Sequence, residues 1–192
     1  MSAGFANHDP YVAVARPTWP AETPMLELRG TRRAPARAIC VDEELAMLLG
    51  LYMAEGHCTK GQVSFTLNRA EGHLERFVRS ALRRLTPRKI TTRFGVGTRR
   101  VTVSDVALAD MFRSFGKSSA KVPPIAWMGW PLALRVALVR GWLLGDGCLR
   151  VNNTRLACAT WFYSGASISR NWMMWARATL LEAGYTPSLS LD

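Results

Sequence analysis

The sequence has few cysteines, and none of them forms the closely spaced pairs that bind zinc. The four are Cys40, Cys58, Cys148 and Cys158, and no two of them are arranged as a C-x-x-C ligand pair. We therefore expect no structural zinc site. Thiols without such partners are typical of a reduced, intracellular protein.

A long hydrophobic run is also missing. The longest apolar stretch, residues 125–144, is interrupted by Pro131, Arg135 and Arg140, which excludes a membrane span. Residues 1–15 lack the continuous apolar core of a signal peptide. These absences predict a cytoplasmic protein that has no membrane partner.

Acidic residues are scarce relative to basic ones, with 14 Asp and Glu against 25 Lys and Arg. The net charge of +11 predicts a polyanionic partner. Of the 25 basic residues, 21 are arginine, whose planar fork suits phosphate groups and the guanine edge. Because 48% of the 192 residues are hydrophobic, the chain can fold as one domain or two small ones.

One apolar segment ends in an acid that the local structure disfavours. Residues 41–54 favour a helix, and Gly50 and Ala54 share one face of it, where a partner helix could approach closely. Glu55 follows at the negative end of the helix dipole, and Gly56 ends the helix. The pattern therefore predicts a cation near Glu55.

The same pattern recurs 91 residues later. Gly141 and Gly145 are again four apart, and Asp146 and Gly147 follow directly. Two such helices, packed through their small residues around a pseudo-two-fold axis, would bring Glu55 and Asp146 side by side. Two carboxylates that share a site with several waters suit Mg²⁺.

The segments after the first motif predict an α+β unit. Residues 57–68 alternate as a hairpin, and residues 71–85 form an amphipathic helix. Two strands over 89–94 and 99–104 and a helix over 105–115 complete the order αββαββα.

The second motif begins a shorter copy of this unit. We expect a helix over 131–145, a hairpin that turns at Asn152 and Asn153, a helix over 167–183 and the start of a strand over 185–191. The expected domains are a Pro/Arg-rich N-terminal extension over 1–38, a first half-domain over 39–120 and a shortened second half-domain over 121–192. For the extension, a basic arm along DNA and a solvated linker both remain open.

Residues Leu48–Gly56 and Val139–Gly147 resemble the dodecapeptide motif of the LAGLIDADG homing endonucleases, and the first copy is most similar to intein-encoded members. The resemblance implies an α+β fold with two pseudo-symmetric half-domains, packed through the motif helices beneath a β-sheet saddle for DNA. It implies a site-specific DNA endonuclease that uses Mg²⁺, for which Mn²⁺ can substitute. Glu55 and Asp146 would be its catalytic metal ligands.

Lys121 is a third expected catalytic residue. It lies in Lys121-Val122-Pro123-Pro124, which resembles the lysine and proline block before the second motif in intein-type members. The resemblance places its charge beside the active site, where it could stabilise the phosphorane or polarise a water. A surface lysine in the linker remains the alternative.

Strand alternation predicts the side chains that contact double-stranded DNA. The candidates are Lys60, Gln62, Ser64, Thr66, Lys89, Arg93, Arg99, Arg150, Asn152, Asn153 and Arg155, with Asn68, Thr91 and Thr102 as further members. The six tryptophans from Trp127 to Trp175 lie in or beside predicted helices and strands and are interpreted as core residues.

The shortened second half leaves alternatives open. The protein could be a monomer with pseudo-two-fold symmetry or a split subunit that another chain completes. It could also be a maturase or regulator that binds nucleic acid on the same scaffold without cutting it. The ends Met1 and Asp192 do not supply splicing residues, so we expect no protein splicing from this chain.

Overall fold

The computed structural model describes residues 23–30, 35–116, 121–153, 159–167 and 169–188, and it describes only the backbone at 149–153 and 159–163. Its helices are α1 (Glu43–Glu55), α2 (Gly72–Leu85), α3 (Val106–Arg113), α4 (Leu132–Asp146) and α5 (Arg170–Glu182), with a 3₁₀ turn at Ile125–Gly129. Its strands are β1 (Met25–Leu28), β2 (Arg37–Cys40), β3 (Gly56–Cys58), β4 (Gln62–Asn68), β5 (Ile90–Phe94), β6 (Thr98–Ser104), β7 (Gly147–Asn153) and β8 (Ala159–Gly165).

The α+β class and the half-domain layout are confirmed. The first half runs α1, β3, β4, α2, β5, β6, α3, and its four strands form one antiparallel sheet in the order β3-β4-β6-β5. The described part of the second half runs α4, β7, β8, α5, with an antiparallel β7–β8 pair.

Two details of the second half differ from the sequence-based expectation. Strand β7 continues through Asn153, so Asn152 and Asn153 are strand residues rather than the predicted turn, and residues 154–158 lie outside the described part of the chain. Residues 185–188 form no strand, and the rest of the predicted strand lies outside the described residues.

Helix α1 is the centre of the molecule. Asp42 caps its start by accepting a hydrogen bond of 2.8 Å from the Leu45 N–H, and Glu43 and Glu44 occupy its favourable first turn. Every residue from Leu45 to Met53 is buried except Met47, which is partly exposed. The helix is therefore apolar on all sides, as expected of an element enclosed by α4 and by the sheet.

Equivalent residues of the two motifs make equivalent contacts at the α1–α4 interface. A Cβ atom added to Gly50 would lie 1.8 Å from the Leu138 carbonyl oxygen, and one added to Gly141 would lie 2.0 Å from that of Met47. Both pairs are related by the 91-residue offset of the two motifs, since 47 maps to 138 and 50 to 141. The glycines thus allow the two backbones to touch, as the sequence predicted.

Aromatic side chains fill the core next to α1. The Tyr52 ring packs against Phe65, Phe112 and Phe115, with centroids 4.4–6.0 Å apart. The predicted core tryptophans Trp127, Trp130, Trp142, Trp172 and Trp175 are buried, whereas the side chain of Trp161 is outside the described part of the chain.

The predicted boundary at residue 38 divides a hairpin. Strand β1 pairs with β2, Leu28 is only 1% exposed, and Arg37 donates a hydrogen bond to the Leu85 carbonyl at the end of α2. Strand β1 also contacts α3. The described part of the N-terminal segment therefore packs on the first half-domain rather than extending from it as an arm.

No helix in the described ranges is both long and apolar enough to cross a lipid bilayer.

Candidate active site

The two motif acids lie at equivalent ends of the central helices. Glu55 is the last residue of α1 and Asp146 the last of α4, and strands β3 and β7 begin at the next residue in each case. A Cβ atom on Gly145 would lie 2.5 Å from the Ala54 Cβ and 2.9 Å from the Glu55 Cγ. The close helix packing therefore brings the two acids together, in the arrangement expected from the repeated motif.

Electrostatics at this position disfavour two ionised carboxylates. Burial, together with the nearby charges of Asp146 and Glu71, raises the pKa of Glu55 to about 7, against a smaller lowering by Lys121. Partial enclosure also raises the pKa of Asp146, although its surface remains exposed; a hydrogen bond from Trp142 and the charge of Lys121 oppose the rise. A bound cation would relieve this repulsion.

Protonation of Glu55 should be visible in the stability of the metal-free protein. Because the pKa of Glu55 is higher in the folded chain than its model value of 4.5, the folded state loses stability as pH rises from about 4.5 through about 7. We expect Glu55→Gln to increase the free energy of unfolding by about 2 kcal/mol at pH 8 after solvent screening, and by little at pH 4.5. Urea unfolding in EDTA measures this.

The matched control for that experiment is Glu43→Gln, which removes an exposed acid from the other end of α1. Its effect should be within about 0.5 kcal/mol at both pH values. A gain from Glu55→Gln that is equal at pH 4.5 and pH 8 would contradict a raised pKa.

Lys121 lies beside both acids. Its side chain is 8% exposed, and its Nζ donates to the carbonyl oxygens of Tyr52 at 2.9 Å and Gly56 at 2.8 Å. Burial lowers the pKa of Lys121, while Asp146 and Glu55 oppose that change. Two of its three N–H donors thus bind carbonyl oxygens at the carboxyl end of α1, and its charge offsets part of the negative potential there.

Trp142 is a site residue that sequence reasoning missed, because it was interpreted only as core. Its ring is buried, and its Nε1 donates a hydrogen bond of 3.0 Å to the Asp146 Oδ2. The four-residue spacing of Trp142 and Asp146 on one helix was the available signal.

The carboxylates of Glu55 and Asp146 suit Mg²⁺ or Mn²⁺, but they fill only part of the metal's coordination shell. Within the described ranges, no group of three or more His, Cys, Asp or Glu side chains is gathered to hold a metal. The chain therefore offers two carboxylates at the negative ends of two helices. Mg²⁺ commonly accepts one or two carboxylates and completes its shell with water and substrate phosphate oxygens.

One face of the four-stranded sheet is polar throughout, and apart from Ser64, which is 9% exposed, its side chains are not buried by the described part of the chain. We call it the open face, and its members are His57, Gln62, Ser64, Thr66, Asn68, Thr91, Arg93, Thr98, Arg100, Thr102 and Ser104. The opposite face carries Val63, Phe65, Leu67, Val101 and Val103, which are buried in the core. The open face begins at His57, two residues after Glu55.

Most of the predicted DNA-contacting residues lie on the open face, beside it, or in β7. Gln62, Ser64, Thr66 and Arg93 lie on the open face, and Lys60 and Lys89 are exposed beside it. Arg150, Asn152 and Asn153 lie in β7, where only the backbone is described, and Arg155 lies outside the described residues.

Arg99 is a correction. It pairs with Leu67 and Phe94 on the helix side of the sheet, and its guanidinium makes an ion pair of 2.5 Å with Glu75 on α2. Its neighbour Arg100 is the arginine on the open face. The prediction for Arg99 was therefore wrong by one residue of strand register.

Comparisons with known proteins give one partial match in sequence. No family model matches the chain. The chain is 28% identical over 152 residues to the ATP-dependent DNA helicase Hel308 of Thermococcus kodakarensis, a match to 76% of this chain and 13% of the helicase. The chain thus corresponds to a small part of that relative's length.

Solved structures of the homing endonuclease I-DmoI superpose on this chain. One, of mesophilic variants of I-DmoI, has a TM-score of 0.53 at 16% identity, and a complex of I-DmoI with DNA and Mn has a TM-score of 0.51 at 16% identity. Each match covers 78% of this chain and 82% of the other. Together with the two glycine-packed motif helices, these likenesses show that the chain has the fold of the LAGLIDADG homing endonucleases.

Proposed function

We propose that this protein is a site-specific DNA endonuclease that hydrolyses phosphodiester bonds in a long double-stranded target with Mg²⁺ or Mn²⁺. The observation that carries the proposal is the position of Glu55 and Asp146. They lie side by side at the ends of two symmetric helices, and the open face begins two residues after Glu55. The complex of I-DmoI with DNA and Mn supports both the polymer and the class of metal.

Each acid serves one strand of the duplex in this proposal. The pseudo-two-fold axis between α1 and α4 matches the two-fold relation of antiparallel DNA strands, so each strand meets one carboxylate. Bound divalent metal supplies an activated water and neutralises charge at the phosphate. Glu55 and Asp146 hold the metal, and Lys121 adds positive charge next to both.

The open face supplies the DNA contacts. A strand pair fits the major groove, and β4 and β6 present hydroxyl, amide and guanidinium groups that can donate to base edges and phosphates. No apolar side chain interrupts the set. The net charge of +11 supports binding to the phosphate backbone.

Arg99 and Arg100 lie on opposite faces of the sheet, so their variants distinguish a loss of DNA binding from a loss of stability. We expect Arg100→Ala to weaken DNA binding about tenfold at 100 mM salt and to reduce the salt slope by about one, because it removes an open-face cation. Fluorescence anisotropy with a labelled duplex at several salt concentrations measures both.

Arg99→Ala is the matched control, since it removes the same charge from the opposite face. It should leave the salt slope unchanged and lower the free energy of unfolding by about 1–2 kcal/mol, because it breaks the ion pair with Glu75. A larger loss of DNA affinity from Arg99→Ala than from Arg100→Ala would mean that DNA binds the helix side of the sheet, which would contradict the proposed interface.

A second candidate is a protein that binds nucleic acid on this scaffold without cutting it, such as a maturase or regulator. The observation that favours it is the narrower sheet of the second half, where only β7 and β8 are described. A split subunit that needs a partner chain rests on the same observation.

The deciding experiment starts by selecting duplexes that the protein binds from a randomised library. The selected duplexes are then incubated with the protein in Mg²⁺, Mn²⁺ or EDTA. Cutting of both strands in either metal and none in EDTA supports the endonuclease. Tight binding without cutting in Mn²⁺ favours the second candidate, and light scattering of the active species distinguishes a monomer from a completed assembly.

We also propose an intein-type origin, on the basis of the similarity of Leu48–Gly56 to intein-encoded motifs. The neighbouring reading frames in the source genome test it. An interrupted host gene next to this frame supports that origin, and a free-standing frame contradicts it.

A further inference from the structure

The two motif acids are held differently. The Asp146 Oδ2 accepts a hydrogen bond from the Trp142 Nε1 at 3.0 Å. The residue equivalent to Trp142 in the first motif is Leu51, which precedes Glu55 by the same four positions and has no donor. Among the described residues, no side chain donates a hydrogen bond to Glu55, so the symmetry of the helices is not preserved at the carboxylates.

Trp142 is well placed to act as a rigid support. Its side chain is 3% exposed and packs edge-on against Trp172, with ring centroids 5.3 Å apart. The backbone of Gly165 on β8 lies over the same ring, because a Cβ atom there would be 2.6 Å from the Trp142 Cη2. An indole fixed on two sides presents its N–H in one direction.

Asp146 is only partly enclosed by the described residues. Its residue surface is exposed, so without the indole its carboxylate could adopt several rotamers in solvent. A hydrogen bond to a charged oxygen is among the stronger ones, and fixing one oxygen also fixes the direction of the other. Among the described residues, the side-chain hydrogen bond that orders the oxygen pair is thus found at the second motif and not at the first.

We propose that Trp142 is a positioning residue that orients Asp146 for the metal and thereby makes the two strand-cutting halves unequal. The proposal rests on the endonuclease function. Its consequence is that the strand served by Asp146 depends on Trp142, whereas the strand served by Glu55 does not.

Trp142→Phe tests the proposal, since it keeps an aromatic ring in the cavity and removes only the N–H donor. With a selected duplex labelled differently on each strand, the Mn²⁺ concentration for half-maximal cutting should rise about tenfold on one strand and stay unchanged on the other. Saturating Mn²⁺ should restore the affected strand. An equal change on both strands, or none, would overturn the proposal.

Trp172→Phe is the matched control. Trp172 is 1% exposed and contacts Trp142, but its Nε1 has no hydrogen-bond partner in the described part of the chain. The variant makes the same chemical change in the same cluster without altering the donor to Asp146. It should leave the ratio of the two strand rates as in the unmodified protein.

A measurement without DNA keeps the test independent of cleavage. Urea midpoints in EDTA are compared for Trp142→Phe, Asp146→Ala and the double variant. The two shifts should be non-additive, because either change removes the same hydrogen bond; additive shifts would overturn the proposal. If the unmodified protein cuts neither strand, the endonuclease assignment fails. The urea midpoints of these three variants still test the hydrogen bond between Trp142 and Asp146.

Discussion

Glu55→Gln and Asp146→Asn should each lower double-strand cleavage by at least about a thousandfold, with DNA binding within about threefold of the unmodified protein. Both replacements keep the size of the side chain and remove the charge that holds a divalent cation. The measurement is the rate of linearisation of a supercoiled plasmid that carries a selected site. Any remaining product should be a nick in the strand that the intact acid serves.

Glu27→Gln is the control for these two variants, because Glu27 is an exposed acid on β1, a strand that contacts α3. Its cleavage rate should equal that of the unmodified protein. Cleavage that survives both active-site replacements at the full rate would remove Glu55 and Asp146 from the mechanism and the endonuclease proposal with them.

The helix interface should be the most sensitive part of the fold. We expect Gly50→Ala and Gly141→Ala each to lower the free energy of unfolding by about 3–5 kcal/mol, since a methyl group would lie within 2.0 Å of a backbone carbonyl oxygen on the other helix. A side chain could rotate away from such a clash, but a helix backbone cannot. Urea unfolding followed by circular dichroism measures the loss.

Gly61→Ala provides the comparison, because its Cβ atom would meet only the Val106 Cγ2, at an ordinary 3.5 Å. Its effect should be within about 0.5 kcal/mol. If Gly50→Ala proves as stable as Gly61→Ala, helices α1 and α4 do not approach as closely as described, and the two acids are further apart.

The sequence predicted the features that repeat. Small residues four apart followed by an acid and a glycine occurred twice, and that repetition was enough to place two helices in contact and two carboxylates at one end. The alternation in 62–67 and 99–104 likewise predicted β4 and β6, since a buried face imposes a period of two.

Features that depend on a single residue of register, or on a partner distant in sequence, were not predictable. Arg99 and Arg100 have the same chemistry, and only the pairing with β4 decides which of them faces away from the core. The β1–β2 hairpin lies in a proline-rich segment, and its stability comes from Leu28 inserting into the core rather than from its own propensity. In sequence, Trp142 has the pattern of a core aromatic, and only the position of Asp146 in the fold distinguishes it from the other tryptophans.

The junction between α1 and β3 has no connecting loop, because Glu55 ends the helix and Gly56 begins the strand. Lys121 bridges the carbonyls of Tyr52 and Gly56 across that junction, which leaves it no hinge. In an enzyme that acts as we propose, the surface that reads DNA and the group that cuts it move as one body. We therefore expect an incorrect base sequence that displaces the duplex on the open face to displace the scissile phosphate from the acids as well, which couples sequence recognition to cutting.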